Sequence, residues 1–114
     1  VGVILYECIV GYPPFMSDSL NTTAKKILDH HKTLKLNNTY LKGQTIAKDL
    51  ITKLICDVEK RINFEGLVNH KFFEHINWKK LDKMEPPFIP EVAGKVDTQN
   101  FDKFEDKSVR GRSV

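Results

Sequence analysis

Apolar residues recur at intervals of three and four between Thr45 and Val58, which is the spacing of one face of an α-helix. The apolar positions of this segment are Ile46, Leu50, Ile51, Leu54, Ile55 and Val58. The charged positions, which are expected to face water, are Lys48, Asp49 and Lys53. Thr45 is a candidate N-cap, and the pattern predicts that the helix ends near Asp57.

A second, shorter helix is predicted after this one. It is expected to begin at Asn63 and to end in the aromatic pair Phe72–Phe73. Arg61 lies between the two patterns and is therefore placed on the connecting turn. Two small helices joined by a turn form a compact unit, but this arrangement alone does not indicate a function.

The first ten residues, VGVILYECIV, form an almost wholly apolar run that is too short to span a bilayer. Periodicity cannot decide here between a buried helix and a buried strand. Gly11 and the pair Pro13–Pro14 are expected to end either element. Because the chain starts at Val1, inside the apolar run, we expect it to be a fragment of a longer protein.

Residues 22–31 carry a short amphipathic pattern that predicts another helix, with Ser19 or Asn21 as its cap. His30 and His31 are adjacent, so they are expected to point to different faces of that helix and not to share a metal ion. We predict no metal site in the chain and interpret both as ordinary surface histidines. The segment 31–44 is rich in Asn, Lys and Gly and predicts an irregular connection.

The periodicity fades after Phe73. Residues 75–84 are expected to add one helical turn, whose apolar contacts are Ile76, Trp78 and Leu81. The prolines of the following PPFIPEV segment force an extended path. Composition alone predicts that residues 82–114 form a mobile tail.

Composition narrows the classes of function. A chain of 114 residues suits one small domain, and its net charge of +3 is slight. The lysines are scattered among acidic residues, so nucleic-acid binding is not predicted. Cys8 and Cys56 lack metal-ligand spacing and are interpreted as reduced core residues of an intracellular protein, cytoplasmic or nuclear; a disulfide between them remains open.

Three motifs in the middle of the chain carry a resemblance. The patterns A-K-D-L-I-x-x-L-I, D-x-x-x-R and N-H-K-F-F resemble, together, the end of a eukaryotic protein kinase domain. The run G-V-I-L-Y-E-x-I-V-G-Y-P-P-F is similar to the central helix of the kinase large lobe, which favours a helix at residues 2–10. The resemblance implies a structural role for Arg61, which in the family pairs with a glutamate of the activation segment. A guanidinium can hold a carboxylate through two parallel hydrogen bonds.

The end of the chain resembles one group of these kinases. The patterns I-N-W-x-x-L, P-P-F-I-P and D-T-x-N-F-D-x-F match in order the C-terminal extension of AGC kinases. The element K-T-L is similar to an insert of the NDR/LATS branch, although His31 replaces the tryptophan of that insert. The resemblance implies that Phe101 reaches the adenine pocket and that Phe104 is a second aromatic of the same tether. The alternative is that both only anchor the tail to the lobe surface.

The fold class implied by this resemblance is all-α. Residues 1–73 are expected to form the helical lower half of the kinase large lobe, and residues 74–114 an extended, largely irregular C-terminal extension. The resemblance also implies that Glu7, Tyr12 and Asp18 contact the substrate, with Glu7 near a substrate arginine. The alternative for Glu7 is that its carboxylate only reaches water at the helix end, because burial without a partner would be costly. The alternative for Tyr12 is that it shapes the loop, together with Pro13, Pro14 and Phe15, and does not contact substrate.

The function implied for the intact protein is transfer of the γ-phosphoryl group of ATP, with Mg²⁺, to serine or threonine near basic residues of protein substrates. An activator subunit is a possible further partner. The chain lacks the motifs that such chemistry requires, namely G-x-G-x-x-G, V-A-I-K, H-R-D and D-F-G, and also A-P-E. We therefore predict no catalytic residue and no turnover in this chain by itself. The competing interpretation is a non-catalytic helical interaction module, the remnant of a pseudokinase.

Overall fold

A computed structural model describes residues 1–103 of the chain. Within this range the structure contains helices and no β-strand, which confirms the predicted all-α class. The α-helices of this range are α1 (Gly2–Val10), α2 (Leu20–Leu28), α3 (His30–Thr33), α4 (Thr45–Leu54) and α5 (Phe64–Val68). Short 3₁₀ segments lie at Thr39–Leu41, Val58–Lys60, Lys71–Phe73 and Trp78–Lys83.

The chain divides into two compact units, residues 1–81 and residues 82–114. The first contains all five α-helices and the apolar core. The second is described as far as Lys103. The predicted domain boundary between residues 73 and 74 comes from the family resemblance and stays a prediction.

The apolar run at the start of the chain is the helix α1, so the strand alternative is wrong. The helix ends at Gly11, whose φ of 90° suits glycine and whose N–H donates to the Glu7 carbonyl oxygen. One face of α1 is buried through Gly2, Tyr6 and Val10. No helix of the described residues is long and apolar enough to cross a membrane.

The core forms where α1 packs against α4 and the Thr39–Leu41 turn. Its buried side chains are Tyr6, Val10, Leu41 and Ile51. The helices approach closely at Gly2, because a Cβ atom there would lie 2.8 Å from the Cβ of Leu54. Tyr6 keeps its polar end bonded: its hydroxyl donates to the Lys35 carbonyl oxygen and accepts from Asn38 Nδ2, both at 3.1 Å. Burial raises the pKa of Tyr6.

The ends of α4 differ from the prediction. Thr45 is the first residue inside the helix and Gln44 is the N-cap, without a side-chain hydrogen bond. The helix stops at Leu54, and Asp57 precedes the 3₁₀ segment Val58–Lys60. The predicted apolar face is correct only in part. Leu50 and Ile51 are fully buried, but Ile46 is 37% exposed and Val58 is 69% exposed, because Val58 lies beyond the end of α4.

The second predicted helix is shorter than expected. Asn63 caps α5 by accepting the Gly66 N–H at 2.8 Å, which confirms the predicted start. The helix ends at Val68 rather than at Phe73. A new 3₁₀ segment begins at Lys71 because the His70 side chain accepts the Phe72 N–H and so interrupts the helical hydrogen bonding.

The helix that follows the first loop also breaks earlier than predicted. Ser19, and not Asn21, is the N-cap of α2, since its side chain accepts the Thr22 N–H. The helix ends at Leu28, and Asp29, with φ −103° and ψ 36°, separates it from α3. His30 and His31 therefore lie at the start of a new helix and not at the end of α2.

The second unit contains local order that composition does not predict. Both carboxylate oxygens of Asp97 accept backbone N–H groups, from Ala93 at 2.7 Å and from Gln99 at 2.8 Å. The Glu91 carbonyl oxygen accepts from the side chains of Gln99 and Asn100. These backbone hydrogen bonds lower the pKa of Asp97 and tie residues 91–100 into a turn immediately before Phe101.

Candidate functional site

The proposed substrate contacts all lie on accessible surface of the first unit. Glu7 is exposed on α1, which satisfies the requirement that its carboxylate reach a partner or water. Tyr12 follows the helix cap and is 44% exposed, and Asp18 is exposed just before the cap of α2. Accessibility is what a substrate contact requires, but the three residues are not joined by hydrogen bonds within residues 1–103.

Arg61 lies on the turn between α4 and α5, as predicted. Its Nη2 donates to the Cys56 carbonyl oxygen at 2.8 Å, and the next residue, Ile62, donates its N–H to the Lys53 carbonyl oxygen at 3.2 Å. The guanidinium therefore connects the turn back to the chain just after α4. It is exposed, so a carboxylate from another molecule or segment can reach it.

A cavity of about 530 Å³ lies beside Arg61. Most of its lining is apolar and comes from the start of α1, the Pro13–Met16 loop and the end of α4. Ile4 is 65% exposed on the same helix, α1, and Val1, the residue before that helix, is 72% exposed.

Of the two predicted aromatic contacts, the structure describes Phe101 and not Phe104. Phe101 is 75% exposed, and its N–H donates to the Thr98 carbonyl oxygen at 3.0 Å. Phe104 lies outside the described residues. Their predicted nucleotide contact stays a prediction.

The cysteines agree with the sequence analysis only in part. Both thiols are free, so the open alternative of a disulfide is not what the structure shows. Cys56 is half-buried, but Cys8 is exposed on α1 and is not a core residue. The apolar neighbours of Cys8 in sequence misled the prediction because α1 buries only one of its faces.

The sequence analysis missed a cluster of two histidines and an aspartate. His31 Nε2 lies 3.0 Å and His30 Nε2 lies 3.6 Å from the same oxygen, Asp57 Oδ1. The ring centroids of the histidines are 4.0 Å apart. The break at Asp29 turns both rings towards the segment after α4, which the assumption of one continuous helix did not allow.

The three residues of this cluster differ in how far their side chains are buried and in which charges lie near them. The side chain of His30 is 19% exposed, and its Nε2 is buried without a hydrogen bond to any described residue. Partial desolvation acts to raise the pKa of Asp57, but His31, Lys60 and His30 outweigh it and hold that pKa below its usual value. Lys60 Nζ lies 3.5 Å from the other carboxylate oxygen, Oδ2.

A second histidine–aspartate contact lies at the other side of α4. His70 Nε2 is 2.8 Å from Asp49 Oδ2, and His70 Nδ1 accepts the Phe72 N–H at 3.1 Å. The accepting Nδ1 carries no proton, so Nε2 carries it and donates to the carboxylate. Hydrogen bonds from Lys53 and His70 lower the pKa of Asp49.

Comparison with known proteins finds similar sequences among serine/threonine-protein kinases. The chain is 38% identical to the probable serine/threonine-protein kinase ndrB of Dictyostelium discoideum over 94% of its length. It is also 38% identical to the human serine/threonine-protein kinases MRCK beta and MRCK gamma over 93% of its length. The chain is a relative of AGC-group serine/threonine protein kinases. No family model matches it.

This kinase relative is short compared with the proteins that it matches. It spans 21% of ndrB and 6% of MRCK beta. The equal identity to an NDR-type kinase and to the MRCK kinases does not separate the branches, so the NDR/LATS assignment stays a prediction. The resemblance to AGC kinases stated from the sequence is confirmed.

Proposed function

We propose that this chain is part of a serine/threonine protein kinase that transfers the γ-phosphoryl group of ATP to proteins, with Mg²⁺ bound to the phosphates. The observation that carries the proposal is the 38% identity to ndrB across 94% of the chain. The helical fold of the first unit supports it. Because the chain spans a small part of its relatives, the phosphate-binding and catalytic groups would come from residues beyond this sequence.

The role of this chain within that kinase would be structural and substrate-binding. It holds none of the motifs for phosphoryl transfer, so the 114-residue chain alone would be inactive. Arg61 would tether the turn after α4 to a glutamate elsewhere in the kinase. Its exposure and its bond to the Cys56 carbonyl support this role, since the bond sets the position of the turn and leaves the guanidinium accessible.

The substrates would be protein segments with basic residues near the serine or threonine. Glu7 and Asp18 are exposed carboxylates, and a carboxylate pairs well with an arginine of a peptide. Tyr12 would line the same peptide path. We further propose an intracellular protein, cytoplasmic or nuclear, that acts with an activator subunit.

Phe101 would contact the adenine pocket of the intact enzyme, followed by Phe104. Support comes from the exposure of the Phe101 ring and from the turn before it, which the Asp97 and Glu91 hydrogen bonds fix. A large exposed aromatic side chain next to an ordered turn is suited to bind another surface.

One observation favours the second candidate, a non-catalytic helical interaction module. The first unit has an apolar cavity of about 530 Å³, and Ile4 on α1 and Val1 just before it are exposed. Such surface fits a partner helix as well as it fits the rest of a kinase lobe. The two candidates differ in whether the intact protein transfers phosphate.

The test is a phosphate-transfer assay of the full-length protein that contains this chain. With radiolabelled Mg-ATP we expect transfer to a serine peptide that carries arginines, and less to the same peptide with glutamines instead. Glu7→Gln is expected to raise the KM for the arginine peptide roughly tenfold and to leave kcat unchanged, because it removes one charge-assisted hydrogen bond. The matched control, Glu74→Gln, changes another exposed glutamate and should alter neither constant.

Two outcomes of the assay separate the kinase from the interaction module, and a third tests the role of Glu7. Transfer that depends on Mg²⁺ supports the kinase. A full-length protein without transfer above background would favour the interaction module. Transfer with equal KM in wild type and Glu7→Gln would keep the kinase and remove Glu7 from the substrate site.

A further inference from the structure

We propose that His30, His31 and Asp57 form a zinc-binding site. Each of the three side chains offers one ligand atom, a ring nitrogen or a carboxylate oxygen, and these atoms lie within 4.8 Å of one another. They come from two segments that are distant in sequence, the start of α3 and the residue before Val58–Lys60. His30 and Arg61 line the same cavity, but none of the three proposed ligands is a proposed substrate contact, and the site does not rest on the proposed kinase function.

The distances fit a tetrahedral ion. Bonds of about 2.0 to 2.1 Å to nitrogen and oxygen at tetrahedral angles separate the ligand atoms by about 3.3 to 3.4 Å. The two measured nitrogen–oxygen distances, 3.0 and 3.6 Å, lie on either side of that value. The two histidine nitrogens lie at most 4.8 Å apart, so they need to approach each other by at most about 1.4 Å to reach the tetrahedral separation. Side-chain rotation of His31, which is 60% exposed, can supply that movement.

The hydrogen bonding of His30 favours a bound metal ion over a simple ion pair. His30 Nε2 is buried and makes no hydrogen bond to a described residue, and its 3.6 Å distance to the carboxylate is long for one. A lone pair at this nitrogen would be satisfied by a metal ion.

The donor set indicates which ion would bind. Two imidazoles and one carboxylate suit Zn²⁺ and its transition-metal neighbours, whereas Mg²⁺ and Ca²⁺ prefer oxygen ligands alone. Asp57 is 35% exposed and His31 is more so, which leaves an entry path and room for a water as fourth ligand. A bound ion would cross-link α3 to the segment that follows α4.

Lys60 competes with the ion for Asp57. Its ammonium lies 3.5 Å from Oδ2, the oxygen that the histidines do not approach, so it lowers the affinity without blocking the site. Removing this positive charge by Lys60→Gln is expected to strengthen zinc binding. If the cluster were only an ion pair, the same change would leave zinc binding absent.

The experiment is calorimetric titration of the complete 114-residue chain with Zn²⁺ in a buffer that does not bind metal. We expect one Zn²⁺ per chain. His31→Gln and Asp57→Asn should each weaken binding by at least about tenfold, since each removes a ligand. The matched control is His75→Gln, because His75 is an 88% exposed histidine that contacts only Glu74 among the described acidic residues.

A spectroscopic measurement keeps the test valid if a variant folds poorly. Wild-type chain loaded with Co²⁺ should show the intense visible absorption of a tetrahedral site, and one equivalent of Zn²⁺ should remove it. The proposal is overturned if wild type binds no Zn²⁺, if His75→Gln weakens binding as much as His31→Gln, or if the Co²⁺ spectrum is that of the hydrated ion.

Discussion

The two histidine–aspartate contacts near α4 use the same residue types and differ in what surrounds the imidazole. His70 is 7% exposed and both of its nitrogens have partners, Asp49 and the Phe72 N–H. His30 is 19% exposed and its buried Nε2 has no hydrogen bond to a described residue. Both ring nitrogens of His70 are therefore hydrogen-bonded, whereas His30 Nε2 remains available as a metal ligand.

This difference distinguishes a histidine that stabilises the fold through hydrogen bonds from one that is available to bind a metal ion. A buried polar group contributes to stability when it is hydrogen-bonded, and its removal leaves its partners unsatisfied. His70 therefore holds the segment after α5 against α4, through Asp49. In the His30–His31–Asp57 cluster, His30 Nε2 makes no such hydrogen bond to a described residue and stays available for an added ion.

The largest expected effect is at the completed contact. His70→Leu should lower the free energy of unfolding by roughly 1–3 kcal/mol, because it removes two hydrogen bonds of a buried side chain and leaves the Phe72 N–H without its acceptor. Urea denaturation at neutral pH, followed by circular dichroism with a chelator present, measures the loss.

The control for that change is a histidine without buried partners. His75→Leu alters a side chain that is 88% exposed, so the free energy of unfolding should stay within about 0.5 kcal/mol of wild type. Equal losses at positions 70 and 75 would show that the hydrogen bonds of His70 do not stabilise the fold.

The next effect is the dependence of stability on pH. The pKa values of Asp49 and Asp57 lie below the ordinary 3.8 in the folded chain, so each carboxylate stabilises the fold above that pH. Stability should fall as the pH drops from about 5 through the lowered pKa values, where both groups take up protons. Asp49 faces Lys53 and His70, and Asp57 faces His30, His31 and Lys60.

Single substitutions divide this acid dependence between the two contacts. Asp49→Asn and Asp57→Asn should each flatten the plot of unfolding free energy against pH, which urea titrations at several pH values record. Asp29→Asn is the matched control, since the Asp29 carboxylate pairs within residues 1–103 only with the exposed Lys32. An unchanged slope in both variants would mean that neither aspartate is linked to acid unfolding.

The sequence predicted the helices around the two contacts but neither contact itself. The periodicity of apolar residues predicted α4, the family resemblance favoured a helix at α1, and Asn63 was predicted at the start of α5. The His70 cap was missed because a side chain that accepts a backbone N–H leaves no mark in apolar spacing. The convergence of His30 and His31 on Asp57 was missed because it depends on the break at Asp29 and on a contact between distant segments.

The smallest effect on stability is expected at the open contact. His30→Leu should change the unfolding free energy by less than about 0.5 kcal/mol in the presence of a chelator, because the buried Nε2 has no hydrogen bond to lose. The new side chain also joins the apolar lining of the cavity beside Ile27 and Leu54. Denaturation in urea, alongside His70→Leu, gives the comparison directly. If His30→Leu lowers the unfolding free energy as much as His70→Leu does, the 3.6 Å approach of His30 to Asp57 already stabilises the fold. The cluster would then be a structural ion pair, and His30 would not be available as a metal ligand.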